Sequence, residues 1–339
     1  MTDKFPLFRL PYLALHEVLN HVGPEVILPL SLCSEKSKRL LQLCQGPRKG
    51  INIVLNVFTN VLEVNYESSG TAVSISVVAV YELPAYFKTV NIGSHVVPVR
   101  REGNILTTYW MDRKEGLEEV IKHTSDVFSR DLYSIEGCGA VSSDYVKYWL
   151  AWIKTRQGTL RQLRLYNEVD DELLMYILES DIVTGDLVLY SKCSPGFRGP
   201  PPRPFSIDDF YLPQSKWITL NHLLAMDIKR ICLAQSSLTC QELNIFLKKW
   251  IDGECSKRIK ELFVYMKDEV NYDVLMDGIE FNRRDPNLIR DYASLNAVNH
   301  ILGGFDVRRK EDGAMTTILN RPGGLIIVFW PDNEGTPYH

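Results

Sequence analysis

The sequence predicts a multidomain chain of α+β and α/β character: a small helical head, a β-rich antiparallel middle, and a C-terminal portion of repeated strands and helices. Three observations predict it. Apolar residues recur at helical spacing over the first forty-odd residues, strict alternation takes over from Ile51, and after Tyr145 a short strand motif returns between amphipathic stripes. With 339 residues, 45% hydrophobic and 24% charged, the chain has material for more than one core. The expected boundaries are 5–45, 50–135 and 145–339.

In the head, Leu15, Val18, Leu19 and Val22 fall at i, i+3, i+4 and i+7, one stripe of a helix. Gly23-Pro24 ends that helix and opens the next, because proline is tolerated at the first helical position. The second segment, "PEVILPLSL", is apolar nearly all round and is expected to be buried on more than one side. Pro29 inside it predicts a kink or a short helix, since an interior proline costs roughly 3 kcal/mol. Ser34 reads as the N-cap of a third helix with Leu40, Leu41 and Cys44 as apolar contacts.

The middle begins with "INIVLNVF", which sets Ile51, Ile53, Leu55 and Val57 on one face. Thr59-Asn60 turns into "VLEVNYE", and Ser68-Ser69-Gly70 turns into "AVSISVVAVYE". Further strands are expected near 87–99 and 104–110, with a closing helix over 115–128. Short alternating runs with tight turns argue for an antiparallel meander.

From Tyr145 the pattern becomes strand–helix. Tyr145, Tyr148, Trp149 and Trp152 mark one helical stripe, and Leu173, Leu174, Ile177 and Leu178 another. The strand motif recurs as Leu163-Arg164-Leu165, Leu187-Val188-Leu189, Ile231-Cys232-Leu233 and Leu262-Phe263-Val264, starting 24, 44 and 31 residues apart. Two of these spacings suit a degenerate leucine-rich-repeat-like α/β solenoid. The long one holds "CSPGFRGPPPRPFSIDDFYLP", read as a proline-rich excursion; its Pro201-Pro202-Arg203-Pro204 has P-x-x-P spacing, for which a loop is the commoner reading than a polyproline ligand. The tail, with turns at Glu311-Asp312-Gly313 and Pro322-Gly323-Gly324, is expected to form hairpins that cap the last repeat.

A formal net charge of -4 gives no electrostatic reason for a nucleic-acid partner. The cluster Lys36, Lys38, Arg39, Arg48 and Lys49 reads as a solvated helix face. Seven cysteines, scattered and without a C-x-x-C, lack the paired spacing of a zinc site, so no metal and no cofactor is expected. Arg9, His16 and Glu17 interrupt the one apolar N-terminal run, and "AVSISVVAVY" is too short to span a bilayer. A soluble, reduced, intracellular protein of cytoplasm or nucleus follows as the expectation, with no membrane partner. No P-loop, G-x-S-x-G or H-E-x-x-H occurs. Gly137-Cys138-Gly139-Ala140-Val141-Ser142 is a truncated dinucleotide fingerprint, without its third glycine and with no strand legible before it. Asp170-Asp171 and Asp208-Asp209 suit helix capping better than catalysis. The chain reads as a binding protein and not as an enzyme.

Three short helices cannot bury enough apolar surface to be secure alone. The excess greasiness of "EVILPLSLC" implies a neighbouring surface, either the rest of this chain or another polypeptide. At this point the residues carry a resemblance. "LPYLALHEVLNHVGPEVILPLSLCSEKSKRL" resembles an F-box, the module by which substrate receptors dock on the Skp-family adaptor of SCF ubiquitin ligases. Leu10-Pro11 stands at the family's opening Leu-Pro, the stripe Leu15, Val18, Leu19 and Val22 follows, and a greasy second helix runs through Ile27, Leu28 and Leu30 to Ser31, Cys33 and Ser34. Where the family commonly has a Trp, this chain has Ser37 or Lys38. "ICLAQSSLTCQELNIFLKKWIDGECSKRIKELFVY" is similar to the nematode F-box-associated domain of the second type, over about 217–282.

The resemblance implies a substrate receptor held through the adaptor on a cullin–RING scaffold. It would dock through Leu10, Pro11, Leu15, Val18, Leu19, Ile27, Leu28, Leu30, Ser31 and Cys33, and bind an unknown target protein through the C-terminal portion. The alternative is an interaction scaffold outside ubiquitin ligases that uses the same head. Period-two logic turns Arg164, Tyr166, Tyr190, Phe263 and Tyr265 away from the repeat core, and these residue types are enriched in binding hot spots. They are the candidate target-binding residues.

Overall fold

The computed structural model describes residues 7–45, 50–67, 70–138, 142–266, 269–287, 289–294, 297–321 and 323–330. The chain divides into two compact units, Met1–Val141 and Ser142–His339.

The first unit opens with three helices: α1 (Tyr12–Asn20), α2 (Pro24–Ser31) and α3 (Glu35–Gln45). Ser34 caps α3, accepting from the Ser37 N–H at 3.1 Å. Pro29 lies inside α2, which ends two residues later. Pro29 has no N–H to give the Glu25 carbonyl, and the Arg101 guanidinium donates to that oxygen instead at 3.0 Å.

The strands β1 (Ile51–Asn56), β2 (Val61–Tyr66), β3 (Gly70–Ala79), β4 (Lys88–Ile92), β5 (His95–Glu102) and β6 (Ile105–Trp110) follow, then α4 (Arg113–Phe128) and β7 (Leu132–Gly137). They are ordered β7-β1-β2-β3-β6-β5-β4. This is not the simple meander expected. β6 runs parallel to β3, with the β4–β5 hairpin placed outside it, and β7 runs parallel to β1. The length of α4, sixteen residues, accounts for the second departure, because it carries the chain back across the sheet from β6 to β7.

The head and the β-rich portion share this one compact unit, whereas the sequence suggested separate domains at 5–45 and 50–135. Their junction is built from particular bonds. Ser31 pairs with His123 of α4 at 2.8 Å, Lys38 with Asp126 at 2.9 Å, and the Tyr66 hydroxyl donates to Glu25 at 3.3 Å.

The second unit runs α5 (Ser143–Arg156), β8 (Leu160–Val169), α6 (Asp171–Ser180), β9 (Val183–Ser191), β10 (Asp209–Leu212), α7 (Leu220–Ala225), β11 (Arg230–Ser236), α8 (Cys240–Ile251), β12 (Glu261–Met266) and α9 (Tyr272–Leu275). After these come β13 (Asn282–Arg283), β14 (Ile289–Ser294), β15 (Ala297–Leu302), β16 (Phe305–Arg308), β17 (Met315–Arg321) and β18 (Gly324–Phe329). β8, β9, β10, β11 and β12 lie side by side and parallel. β18 lies antiparallel on β12, followed by β17, β16 and β13, while β14 and β15 form a separate hairpin.

β10 corrects the reading of the proline-rich excursion. Phe210-Tyr211-Leu212 is a further copy of the strand motif, and it divides the 44-residue gap into steps of 23 and 21. Four residues set between Pro204 and Pro213 were too short to register as a strand. Nor is Pro201–Pro204 a free ligand: Arg203 is tied to Asp181 at 2.8 Å and to the Leu178 carbonyl at 2.5 Å. Alternate strand residues Leu163, Leu165, Leu187, Leu189, Phe210, Leu212, Ile231, Leu233, Leu262 and Val264 are all buried, as are Trp149, Ile153, Leu174, Ile177, Phe246 and Trp250 on the helices. The intervening residues turn to the other strand face, which is partly open: Tyr166, Tyr190 and Tyr265 are exposed there, while Gln162 and Asp209 are buried.

Candidate functional site

The open face is read along the register. Arg164 pairs with Val188, Val188 with Tyr211, Tyr211 with Cys232 and Cys232 with Phe263, which sets five repeat positions abreast. Tyr166, Tyr190 and Tyr265 stand two residues beyond their strand's member of that row and are 46%, 39% and 38% exposed. Ring centroids lie 5.6 Å apart for Tyr166–Tyr190, 5.8 Å for Tyr190–Tyr211 and 4.2 Å for Phe263–Tyr265. These separations are those of favourable aromatic pairs. The tyrosines are thus partly held by one another yet keep usable surface.

The structure brings the candidate target-binding residues onto this face with different freedom. Tyr166, Tyr190 and Tyr265 are exposed. Phe263 is half-buried against an apolar cluster that includes Tyr292, Ile326 and Trp330. Arg164 is half-buried, its guanidinium 3.6 Å from Asp186. Sequence reasoning missed Tyr211. Burial, with a hydrogen bond to Tyr190 next, pushes its phenol up to about 12, so it stays protonated near neutrality. The signal was present in Phe210-Tyr211-Leu212, masked by the flanking prolines.

A polar row underlies the aromatics. Gln162 donates to Asp186, and Arg230 grips Asp209 with two nitrogens, one at 2.6 Å. Burial pushes the Asp209 carboxyl up, against the pull of Arg230 and with help from Asp186. Asp209 is therefore a strand residue, not a cap. Beside it Asp208 meets Arg161 at 2.5 Å, Lys229 at 2.7 Å and Arg258 at 3.0 Å. Burial opposes its charge, yet Lys229 and Arg161 prevail and hold it at about 2. Asp170 does cap a helix, accepting from the Leu173 N–H at 2.8 Å.

Past the ends of β11 and β12 opens a cavity of about 740 Å³. Its lining includes Gln235, Leu238, Gln241, Tyr265, Met266 and Val274. Gln235 has φ of 47°, a left-handed backbone unusual outside glycine, at the point where the β11–β12 register shifts.

The adaptor-facing residues expected in the head divide in two. Leu15, Leu19, Ile27, Leu28 and Ser31 are buried, so they form the unit's own core and present no surface to a partner. Their core is closed by this chain, the first of the two neighbours that the sequence allowed. Leu10 and Leu30 are half-buried, while Pro11, Val18 and Cys33 are exposed. Beside them Tyr12 and Leu13 are exposed, Leu13 at 76%; Leu13 lies off the buried stripe, whereas Tyr12 shares the spacing of Leu15 and Leu19 but sits at the first residue of α1.

The fingerprint-like stretch after β7 does have a strand before it, contrary to the sequence reading, but residues 139–141 lie outside the described ones. Arg48, Lys49 and Pro322 do so too. Lys38 and Arg39 are engaged with Asp126 and Glu35. Among the described residues no helix is long and apolar enough to cross a membrane, and no group of three or more His, Cys, Asp or Glu is placed to hold a metal ion.

Comparison with known proteins gives this geometry a context. Residues 204–264 match the family model described as F-box associated. The chain is 24% identical over 376 aligned residues to E3 ubiquitin-protein ligase hecw-1 of Caenorhabditis elegans, covering 98% of this chain and 29% of that protein. It is 23% identical over 266 residues to the Skn-1 dependent zygotic transcript 15 protein of the same species, covering 73% of this chain and 76% of that one. The chain thus spans under a third of the first relative's length. No solved structure matches it. The chain carries an F-box associated region and has nematode relatives, one of them named as a ubiquitin ligase.

Proposed function

We propose that this chain is the substrate-recognition subunit of an SCF-type cullin–RING ubiquitin ligase, docking a Skp-family adaptor through the head and a target protein through the second unit. The observation that carries the reading is a coincidence of position: the matched stretch 204–264 spans β10, β11 and most of β12, the strands that present Tyr211 and Phe263 on the open face. The exposed Tyr12, Leu13 and Val18 on α1 support the docking half. The chain itself performs no catalysis. Ubiquitin arrives from a separate conjugating enzyme, and the receptor raises the effective concentration of target lysines beside it. The second reading, a scaffold outside ubiquitin ligases, draws on the self-closed core of the head.

The test is affinity purification of the tagged full chain from nematode extract. Adaptor and cullin are expected to accompany the native chain. Both should be lost with Leu13→Asp combined with Val18→Asp, at an unchanged unfolding temperature, since both positions are solvent-facing. Adaptor without cullin would favour the scaffold, and absence of both from the native chain overturns the reading.

A further inference from the structure

We propose that the tyrosine row and the cavity beyond β11 and β12 form one continuous groove for an extended peptide segment of the target, with a bulky apolar side chain of that segment entering the cavity. This rests on the target-receptor reading and names the ligand class that reading leaves open.

Continuity comes from Tyr265. It lines the cavity and stacks edge-on against Phe263 at 4.2 Å, and Phe263 stands in register with Tyr211 across Cys232. Tyr211 in turn packs on Tyr190, and Tyr190 on Tyr166. From β8 to β12 is four strand spacings, roughly 19 Å at about 4.8 Å each. An extended chain advances about 3.3 Å per residue, so roughly six residues reach from Tyr166 to the cavity mouth.

The cavity's chemistry suits a peptide. Leu238, Met266, Val274 and the Tyr265 ring give an apolar lining. Among the described residues, the side chains of Gln235 and Gln241 make no hydrogen bond. Each amide offers a donor and an acceptor, the complement of a peptide group's C=O and N–H. Lys216 and Glu269 also line the cavity and balance in charge, which selects against a strongly charged anchor. A compact small molecule would fit the volume, which lies within the usual range of about 300–1,000 Å³. It would leave Tyr166 and Tyr190 unused, and a peptide engages both.

The experiment pans the purified full chain against a displayed library of random linear peptides, then measures affinities of the selected synthetic peptides. Enrichment of one bulky apolar position flanked by uncharged residues is expected. Gln241→Trp fills the cavity from an exposed helix position and should weaken binding about tenfold or more, as should Tyr265→Ala. Tyr166→Ala should weaken full-length peptides and leave those trimmed to the anchor end unchanged. Unfolding temperatures of the three variants verify the fold. No enrichment, or selected peptides indifferent to both Gln241→Trp and Tyr265→Ala, overturns the proposal. Adaptor co-purification is scored on the same variants. Retained peptide binding without adaptor defeats the ligase reading alone, and retained adaptor without peptide binding defeats the groove alone.

Discussion

At the scale of the residue, His123 shows how a single ring joins the head to the sheet. The Ser31 hydroxyl has one proton and gives it to the Leu28 carbonyl at 2.6 Å, so it must accept from His123 at 2.8 Å. The ring is therefore the neutral tautomer with its proton on Nε2. Burial first, and then the charge of Lys38, pull its pKa from 6.5 down to about 4, with Asp126 opposing. The unfolded chain takes up this proton below about 6.5 and the folded chain refuses it until about 4. Stability from His123 is whole above pH 6.5 and is lost as pH falls towards 4, by about 3 kcal/mol. Denaturant titrations at pH 7 and pH 4 should show that loss, and His123→Gln, which keeps a donor for Ser31 without a titrating ring, should flatten it. Leu15 and Leu13 make a contrast of another kind. Leu15→Asp places a charge in the core and should unfold the first unit, whereas Leu13→Asp should leave its melting unchanged. Periodicity could name the buried stripe, but it could not say whose atoms bury it, because a stripe looks the same against its own chain or a partner.

At the scale of the element, α4 sets the limits of substitution. Asp112 caps it, accepting from the Lys114 N–H at 2.8 Å, and Gly116 sits where a Cβ would fall 2.5 Å from the Trp110 ring. That ring is fixed by its N–H donating to Thr108 at 2.9 Å. Gly116→Ala gains about 1 kcal/mol of helix propensity and loses about 1–3 kcal/mol to overpacking. A net fall in unfolding temperature is the expected outcome of a thermal melt. Helices were the legible elements here: three head helices, α4, α5 and α6 all stand where the sequence placed them, although α5 buries Val146, Trp149, Leu150 and Ile153, a face that shares only Trp149 with the stripe read for it. β10 was not legible, since four residues between prolines carry too little periodicity. The parallel pairing of β3 with β6 was equally hidden, because alternation reports which face is buried and says nothing of the neighbour's direction.

At the scale of the molecule, seven thiols offer a test spread over both units. All are free; Cys33 and Cys138 are exposed, and Cys44 and Cys240 are buried. Burial pushes Cys232 up to about 12 and Cys255 up to about 11, so neither forms thiolate near neutrality. A thiol reagent at neutral pH should label Cys33 and Cys138 first, and Cys44 and Cys240 only after denaturant is added, as read by mass spectrometry of the digested chain. Labelling of Cys44 in the native protein would contradict the sealed head. The F-box associated stretch was legible through its resemblance, and the matched residues 204–264 fall within the repeat strands. Its exposed side chains were not legible, because exposure is decided by which other segments arrive.

β18 lies antiparallel along β12, through Glu261 to Val264. A parallel stack left bare at that side could accept another strand from any passing chain. With the place already taken by a strand running the opposite way, the array has a fixed last member and a set width. The five parallel strands are consequently closed on that side by the chain's own antiparallel extension, and β12 has no free edge left there for an outside strand to join.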